Sequence, residues 1–273
     1  MNRAVTRPGW AEALYPLLNV AQALFLAFWS VFCISLAFVA GLVTFRRDLP
    51  LSMARWMYSP PLVAGTGTRL QVEPLPRVDW SKPYIFLMNH QSALDIPLAF
   101  ACIPTNVRFI AKHSLKYVPF IGWYMWFTGM IFVNRSNRSE AVRSLREAGE
   151  RIRAGASILA YPEGTRTRDG RILPFKKGPF MVALAAKVPI IPVVVEGSGD
   201  VLPTGGFKIR GGTVRIKLGE PIETAHLRPE DRDELMRHTR DVMIRMHREI
   251  GGVGGDGEAI AEAGVEGHGA LTG

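Results

Sequence analysis

Tyr84-Ile85-Phe86-Leu87-Met88-Asn89-His90-Gln91-Ser92-Ala93-Leu94-Asp95 is the stretch from which the rest of this chain can be read. Tyr84 to Met88 is apolar without alternation, which suits a strand covered on both faces. The run stops at a polar loop, and Ile96–Cys102 then reads as a helix. Strand, short loop and helix form the repeating unit of an α/β sheet, and ligands bind such sheets at the strand ends.

The same rhythm continues outward. Val107–Ala111, Met130–Val133, Ser157–Tyr161, Ile190–Val195 and Thr213–Leu218 read as strands, with a short one at Arg69–Val72. Phe120–Phe127, Ser139–Arg153, Pro179–Lys187 and Asp231–Glu249 read as helices. In Ser139–Arg153 the apolar Val142, Leu145, Ala148 and Ile152 recur at helical spacing, and Gly155 follows the end. Alternating strands and helices predict an α/β fold with a mixed central sheet flanked by helices.

Ahead of this domain, Ala13 to Phe45 carries no charged residue for 33 positions and ends at Arg46-Arg47. As one helix it would reach about 50 Å, against a hydrocarbon thickness of about 30 Å. It predicts a membrane-associated helical segment, either one tilted span or a bent pair of helices in one leaflet. Arg46-Arg47 places the following domain on the cytoplasmic side. A cleaved signal peptide fits poorly, because the run is too long and no small-x-small site follows it. The expected organisation is a membrane-anchoring segment over 1–47, a Pro/Gly-rich connector over 48–80, an α/β domain over 81–250 and a disordered acidic tail over 251–273.

Composition narrows the partners. The chain has 273 residues, 48% of them hydrophobic, and a formal net charge of +9. From Gly251 onward there are four acids, nine glycines and no Lys or Arg, which leaves +13 on residues 1–250. Such a body is drawn to anionic lipid surfaces and phosphorylated ligands. No nucleic-acid reading module is present, and the apolar anchor would be unexplained in a nucleic-acid binder. Two cysteines, Cys33 and Cys102, offer neither a disulfide framework nor a zinc motif.

The first chemical site is His90 with Asp95. Five residues on a regular helix leave side chains about 140° apart, and an odd offset on a strand puts them on opposite faces. The two meet only if His90 stands on the loop and Asp95 in the first helical turn. The carboxylate then fixes the imidazole tautomer and frees the other nitrogen to take a proton. Without that turn, the spacing describes a surface histidine beside a capping acid. No GxSxG nucleophile motif is present, so His90 would act on a substrate hydroxyl directly.

The second site is Tyr161-Pro162-Glu163-Gly164-Thr165-Arg166-Thr167, again after an apolar strand. Arg166 offers a planar fork suited to phosphate, flanked by the Thr165 and Thr167 hydroxyls. An Arg166–Glu163 ion pair on a loop tip is the bland alternative. A third stretch mixes cations with bulky apolar residues: Lys112-His113-Ser114-Leu115-Lys116, then Pro119 to Trp123 and Gly129 to Arg135. An amphiphile needs both, although a core helix with a basic end would look the same. The fourth, Val188 to Val193, is a proline-containing strand that could border an acyl chain.

In this order, these stretches resemble the four motif blocks of the glycerolipid acyltransferase family, whose best-known members are the 1-acylglycerol-3-phosphate acyltransferases. The NHxxxxD block matches at Asn89, His90 and Asp95, and the glycine–aromatic block runs from Gly122 to Arg135. The FPEGTRS block appears as YPEGTRT, with Tyr161 for Phe and Thr167 for Ser. The proline strand matches at Val188–Val193, and Phe175-Lys176-Lys177-Gly178 also fits. The resemblance covers roughly residues 65–220. It implies O-acylation of the sn-2 hydroxyl of lysophosphatidate, giving phosphatidic acid, with acyl-CoA or acyl-carrier protein as co-substrate and neither metal nor cofactor. His90 would be the base and Asp95 its partner. Glu163, Gly164, Thr165, Arg166 and Arg135 would help bind the acceptor. Glycerol-3-phosphate, another lysophospholipid or a lyso-aminolipid are rival acceptors. A lipid hydrolase or a non-catalytic membrane adaptor are rivals of another class.

Overall fold

The computed structural model describes residues 9–134, 137–206 and 208–255. Arg135 and positions 256–273 of the acidic tail lie outside the described residues. A seven-stranded sheet forms the centre, in the order β1-β7-β6-β2-β5-β3-β4. The strands are β1 (Thr68–Val72), β2 (Ile85–Met88), β3 (Val107–Lys112), β4 (Ile131–Val133), β5 (Ser157–Ala160), β6 (Ile190–Glu196) and β7 (Gly212–Leu218). Only β6 with β7 is antiparallel, and the other neighbours are parallel. The mixed sheet flanked by helices is therefore as expected.

β2 shows why its sequence does not alternate. Phe86 and Met88 face one layer, with Leu98 of α4 (Asp95–Cys102) and Leu94 just before it. Ile85 and Leu87 face the other, with Ile152 of α6 (Arg138–Arg153), Phe180 of α7 (Gly178–Ala186) and Met243 of α9 (Arg232–Glu249). With a layer on each side, every β2 side chain is withdrawn from water.

The N-terminal helix α1 (Gly9–Thr44) is long and apolar enough to cross a membrane, by length and composition. It also runs along the body. The Tyr15 hydroxyl donates to Ile209 O, Gln22 to Gly65 O, and the Trp29 indole to Tyr58 O. Near its far end Phe38 meets Phe127 edge-on. The opposite side leaves Leu24, Phe28 and Val43 exposed.

Two readings are corrected. Much of the expected connector is helical: α2 (Asp48–Met53), a π turn (Ala54–Tyr58) and α3 (Ser59–Gly65) follow α1. Pro50 falls in the first turn of α2, where a missing N–H costs nothing, and Pro60 and Pro61 follow the π turn. Leu51, Met53, Leu62 and Val63 are buried there. The expected tail boundary also shifts. Gly252 N–H bonds His247 O, and Ile172 N–H bonds Gly254 O, so residues 251–255 still pack on the body. A Cβ at Gly252 would lie 2.3 Å from the His247 ring, so glycine serves here as a packing residue.

Candidate active site

The loop after β2 is held before it does anything chemical. The Asn89 carboxamide makes two bonds with Val195 of β6, donating to its O at 3.0 Å and accepting from its N–H at 2.8 Å. It continues the sheet ladder by one step with a side chain. His90 is then released into the loop, and Asp95 becomes the first residue of α4.

There the two side chains meet. His90 Nδ1 lies 2.7 Å from Asp95 Oδ2. The same oxygen accepts from Gln91 N–H at 2.7 Å and Ser92 N–H at 2.8 Å, at the start of α4. Oδ1 accepts from the Ser198 hydroxyl at 2.5 Å. Asp95 is wholly buried, whereas the His90 side chain keeps 16% exposure. All four bonds need the carboxylate as acceptor, so His90 carries its proton on Nδ1. Nε2 has no partner among the described residues. The imidazole stacks on Tyr161, ring centroids 3.9 Å apart and planes 16° apart.

The loop after β5 folds over this pair. Gly164 takes a positive φ of 74°, closing a turn in which its N–H bonds Tyr161 O at 3.1 Å. Thr167 N–H reaches His90 O at 2.8 Å. Glu163 is buried, and its two oxygens accept from His90 N–H at 2.9 Å and Leu173 N–H at 3.1 Å. Burial pushes its carboxyl up to about 8, against the downward pull of these two bonds.

A cavity of about 1140 Å³ opens beside the dyad. His90, Gly164, Thr165 and Arg166 line its polar end. Phe100, Phe109 and Met130 lead inward to Cys33, Ile34 and Ala37 of α1 and Met53 and Met57 beyond it. A polar mouth with an apolar interior suits one charged head and one hydrocarbon chain.

The geometry has counterparts among known proteins. A family model described as Acyltransferase matches residues 69–196. A protein named 1-acyl-sn-glycerol-3-phosphate acyltransferase from Saccharomyces cerevisiae is 39% identical over 173 residues, 62% of this chain and 57% of its own length. The beta form of that name from Homo sapiens is 33% identical over 201 residues, 73% of this chain and 72% of the relative. The chain belongs to the acyltransferase family.

Among solved structures, the 1-acyl-sn-glycerophosphate acyltransferase PlsC from Thermotoga maritima superposes with a TM-score of 0.76 at 27% identity, covering 88% of this chain and 97% of that one. Against the S. cerevisiae and Brassica napus relatives, the chain spans 57% and 52% of their lengths.

Within this acyltransferase fold the expected site residues separate into groups. His90 and Asp95 are together, and Gly164, Thr165 and Arg166 stand at the cavity's polar end. Glu163 is turned away from the cavity onto backbone N–H groups, where it ties the two loops together. The strand Val188–Val193 does not border the cavity; it is the core of the sheet. Arg135 lies outside the described residues, although its neighbour Asn134 lines the cavity.

Several residues were not legible beforehand. Ser198 opens the short helix α8 (Ser198–Val201) just after β6, a strand end like the two already flagged, so the same strand-end rule points to it. Gln91 Nε2 donates to Glu196 Oε2 at 3.0 Å, and His247 Nε2 meets the same oxygen at 2.7 Å. Burial raises the Glu196 carboxyl, but these two partners outweigh it and hold it below its ordinary range. Only the packing of α9 brings His247 to that point.

Proposed function

We propose that this chain transfers a fatty acyl group from acyl-CoA or acyl-carrier protein to the free sn-2 hydroxyl of 1-acylglycerol-3-phosphate, giving phosphatidic acid. The observation that carries the reading is the His90–Asp95 pair at the mouth of a largely apolar cavity, with Arg166 on its rim. The names of the relatives support it.

In the proposed reaction the acceptor's acyl chain occupies the apolar part of the cavity and its phosphate lies against Arg166. His90 Nε2 takes the hydroxyl proton as that oxygen attacks the thioester carbonyl. Asp95 holds the ring and balances the imidazolium. The tetrahedral intermediate collapses with loss of thiolate, which receives the proton. An ester and a free thiol result, without a covalent enzyme intermediate and without metal or cofactor. Gly164 and Thr165 shape the acceptor end, Glu163 holds their loop, and Arg135 is a further phosphate contact. The exposed apolar face of α1 sits in the membrane, and Arg46-Arg47 keeps the catalytic domain cytoplasmic.

The test uses the purified full chain with lysophosphatidate and either thioester. Wild type should form phosphatidic acid, and a folded His90→Ala variant should lose roughly 10²–10⁴ of the rate. Undiminished turnover in that variant would refute the base assignment. Release of free fatty acid without transfer would mark a hydrolase. A preference for glycerol-3-phosphate or a neutral lysolipid would move the acceptor.

A further inference from the structure

The segment between β3 and β4 has two faces. Leu115, Ile121, Tyr124 and Met125 line the cavity from inside. On the outside stand Trp123 and Trp126 of α5 (Ile121–Phe127), with Phe120 just before the helix, and all three are exposed, Trp126 by 64%. Tyr117 and Val118, just before the helix, are exposed as well, and Tyr117 also lines the cavity. Large aromatic rings in water need an explanation when they are contiguous.

The backbone sharpens the point. Phe120 has φ 61° and ψ −58°, and Ile121 N–H bonds Pro119 O at 2.7 Å. This is the rare, strained form of the γ-turn, disfavoured for any residue with a Cβ. The strained turn presents the Phe120 ring outward, with its centroid 5.3 Å from that of Trp123.

Two further observations say what covers this surface. First, it adjoins α1, whose other side is exposed: Phe127 of α5 packs on Phe38, and a Cβ at Gly41 would meet its ring. Second, cations flank it along the chain. Lys112 and Lys116 precede the turn, Arg46 and Arg47 follow α1, and the acid Asp48 is paired with Arg108 at 2.7 Å. Tryptophan and tyrosine between an apolar face and a set of Lys and Arg form the side-chain order of a membrane–water interface. The cations select an anionic leaflet.

We infer that the turn Tyr117–Phe120 and α5 form a second membrane-docking element, seated in the interfacial zone of an anionic bilayer alongside α1. Because the other side of this element is cavity wall, a lipid acyl chain would reach the cavity from the membrane beside it. The inference rests on the membrane setting of the proposed function, but its test reads insertion rather than turnover.

The experiment compares the full chain with the W123F/W126F variant, which keeps apolar rings and removes only the two indole signals. Both are reconstituted into vesicles of phosphatidylcholine with about 30 mol% phosphatidylglycerol, an anionic surface of the kind that attracts Lys and Arg. The wild-type-minus-variant emission isolates Trp123 and Trp126 from the other tryptophans. It should be blue-shifted, lose most of its intensity to lipids brominated near the headgroup end of the chain, and resist aqueous iodide. Emission that stays red and iodide-quenched on vesicle-bound protein would overturn the inference, whatever the enzymatic activity. Protection from both quenchers with a dimeric mass would also overturn it, by assigning the face to a second copy. Equal insertion into phosphatidylcholine alone at low salt would overturn the anionic assignment.

Discussion

The Ser198 hydroxyl donates to Asp95 Oδ1 at 2.5 Å, reaching the dyad from the end of β6 rather than from the loop that carries His90. With His90, Gln91 N–H and Ser92 N–H on Oδ2, it completes the set of donors around a fully buried carboxylate. Ser198 is thus a positioning residue for the proposed base. Ser198→Ala should lower kcat roughly tenfold at nearly unchanged KM, the lower end of what a hydrogen bond to a charged group is worth. Ser198→Thr, which keeps the hydroxyl, should recover most of the rate. Equal loss in both variants would point to packing instead.

Asp95→Asn keeps the shape of the site. Its carbonyl can take the Oδ2 place, and its amide can donate to Ser198, whose hydroxyl turns to accept. The variant should fold, shown by a near-native circular dichroism spectrum and melting curve. Its rate should still drop by about two orders of magnitude, because no charge remains to balance the imidazolium. Wild-type kcat in that folded variant would remove Asp95 from the mechanism.

Glu163 makes stability depend on pH in an unusual direction. Its carboxyl titrates at about 8 in the folded chain, raised from an ordinary 4.5 chiefly by burial. Between those values the folded state holds a proton that the unfolded state has released, so stability falls as pH rises. The slope from this group is at most about 1.4 kcal/mol per pH unit. Its contribution is full at low pH and gone above the folded value. Glu163→Gln cannot titrate, and it turns an amide NH₂ toward a backbone N–H. It should be less stable at acidic pH, with a flatter pH dependence. Urea midpoints across the range from about pH 5 to 9 decide this; parallel curves for the two proteins would count against it.

The Tyr161 hydroxyl is buried and has no partner among the described residues. Orphaned buried polar groups cost about 1–3 kcal/mol. Tyr161→Phe removes that cost and keeps the ring stacked on His90. The variant should gain about 1 kcal/mol, read as a higher unfolding midpoint. A loss of stability would mean the hydroxyl is satisfied.

Arg166 stands exposed at the cavity rim. If it holds the acceptor's phosphate, Arg166→Ala should raise KM for lysophosphatidate about tenfold or more, with a smaller change in kcat. The KM for the thioester should move little. A neutral lysolipid should show no such penalty.

Much of this molecule was legible because the signals are local. The apolar run Ile85–Met88 has no alternation, and two packed layers are the only environment that suits it. The His90-to-Asp95 offset excludes both a regular helix and a strand, which leaves a turn into a helix. Local reading failed where a residue's partner is remote in sequence. Pro50, Pro60 and Pro61 suggested a connector, but their neighbours Leu51, Leu62 and Val63 had a surface to bury against, and the segment became helical. Glu163 suggested a ligand contact, yet its partners are backbone N–H groups at positions 90 and 173.

By itself, the amino-acid sequence determined the alternating α/β order, the apolar N-terminal helix and the turn that lets His90 meet Asp95. These depend on side-chain periodicity and on contacts a few residues apart. Only the tertiary structure decided that Ser198 completes the carboxylate, that His247 joins Glu196, and that α1 and α5 together wall the cavity. Those contacts span roughly fifty to more than a hundred residues. The entropy of closing such loops is met by the packed sheet as a whole, so no local pattern records them.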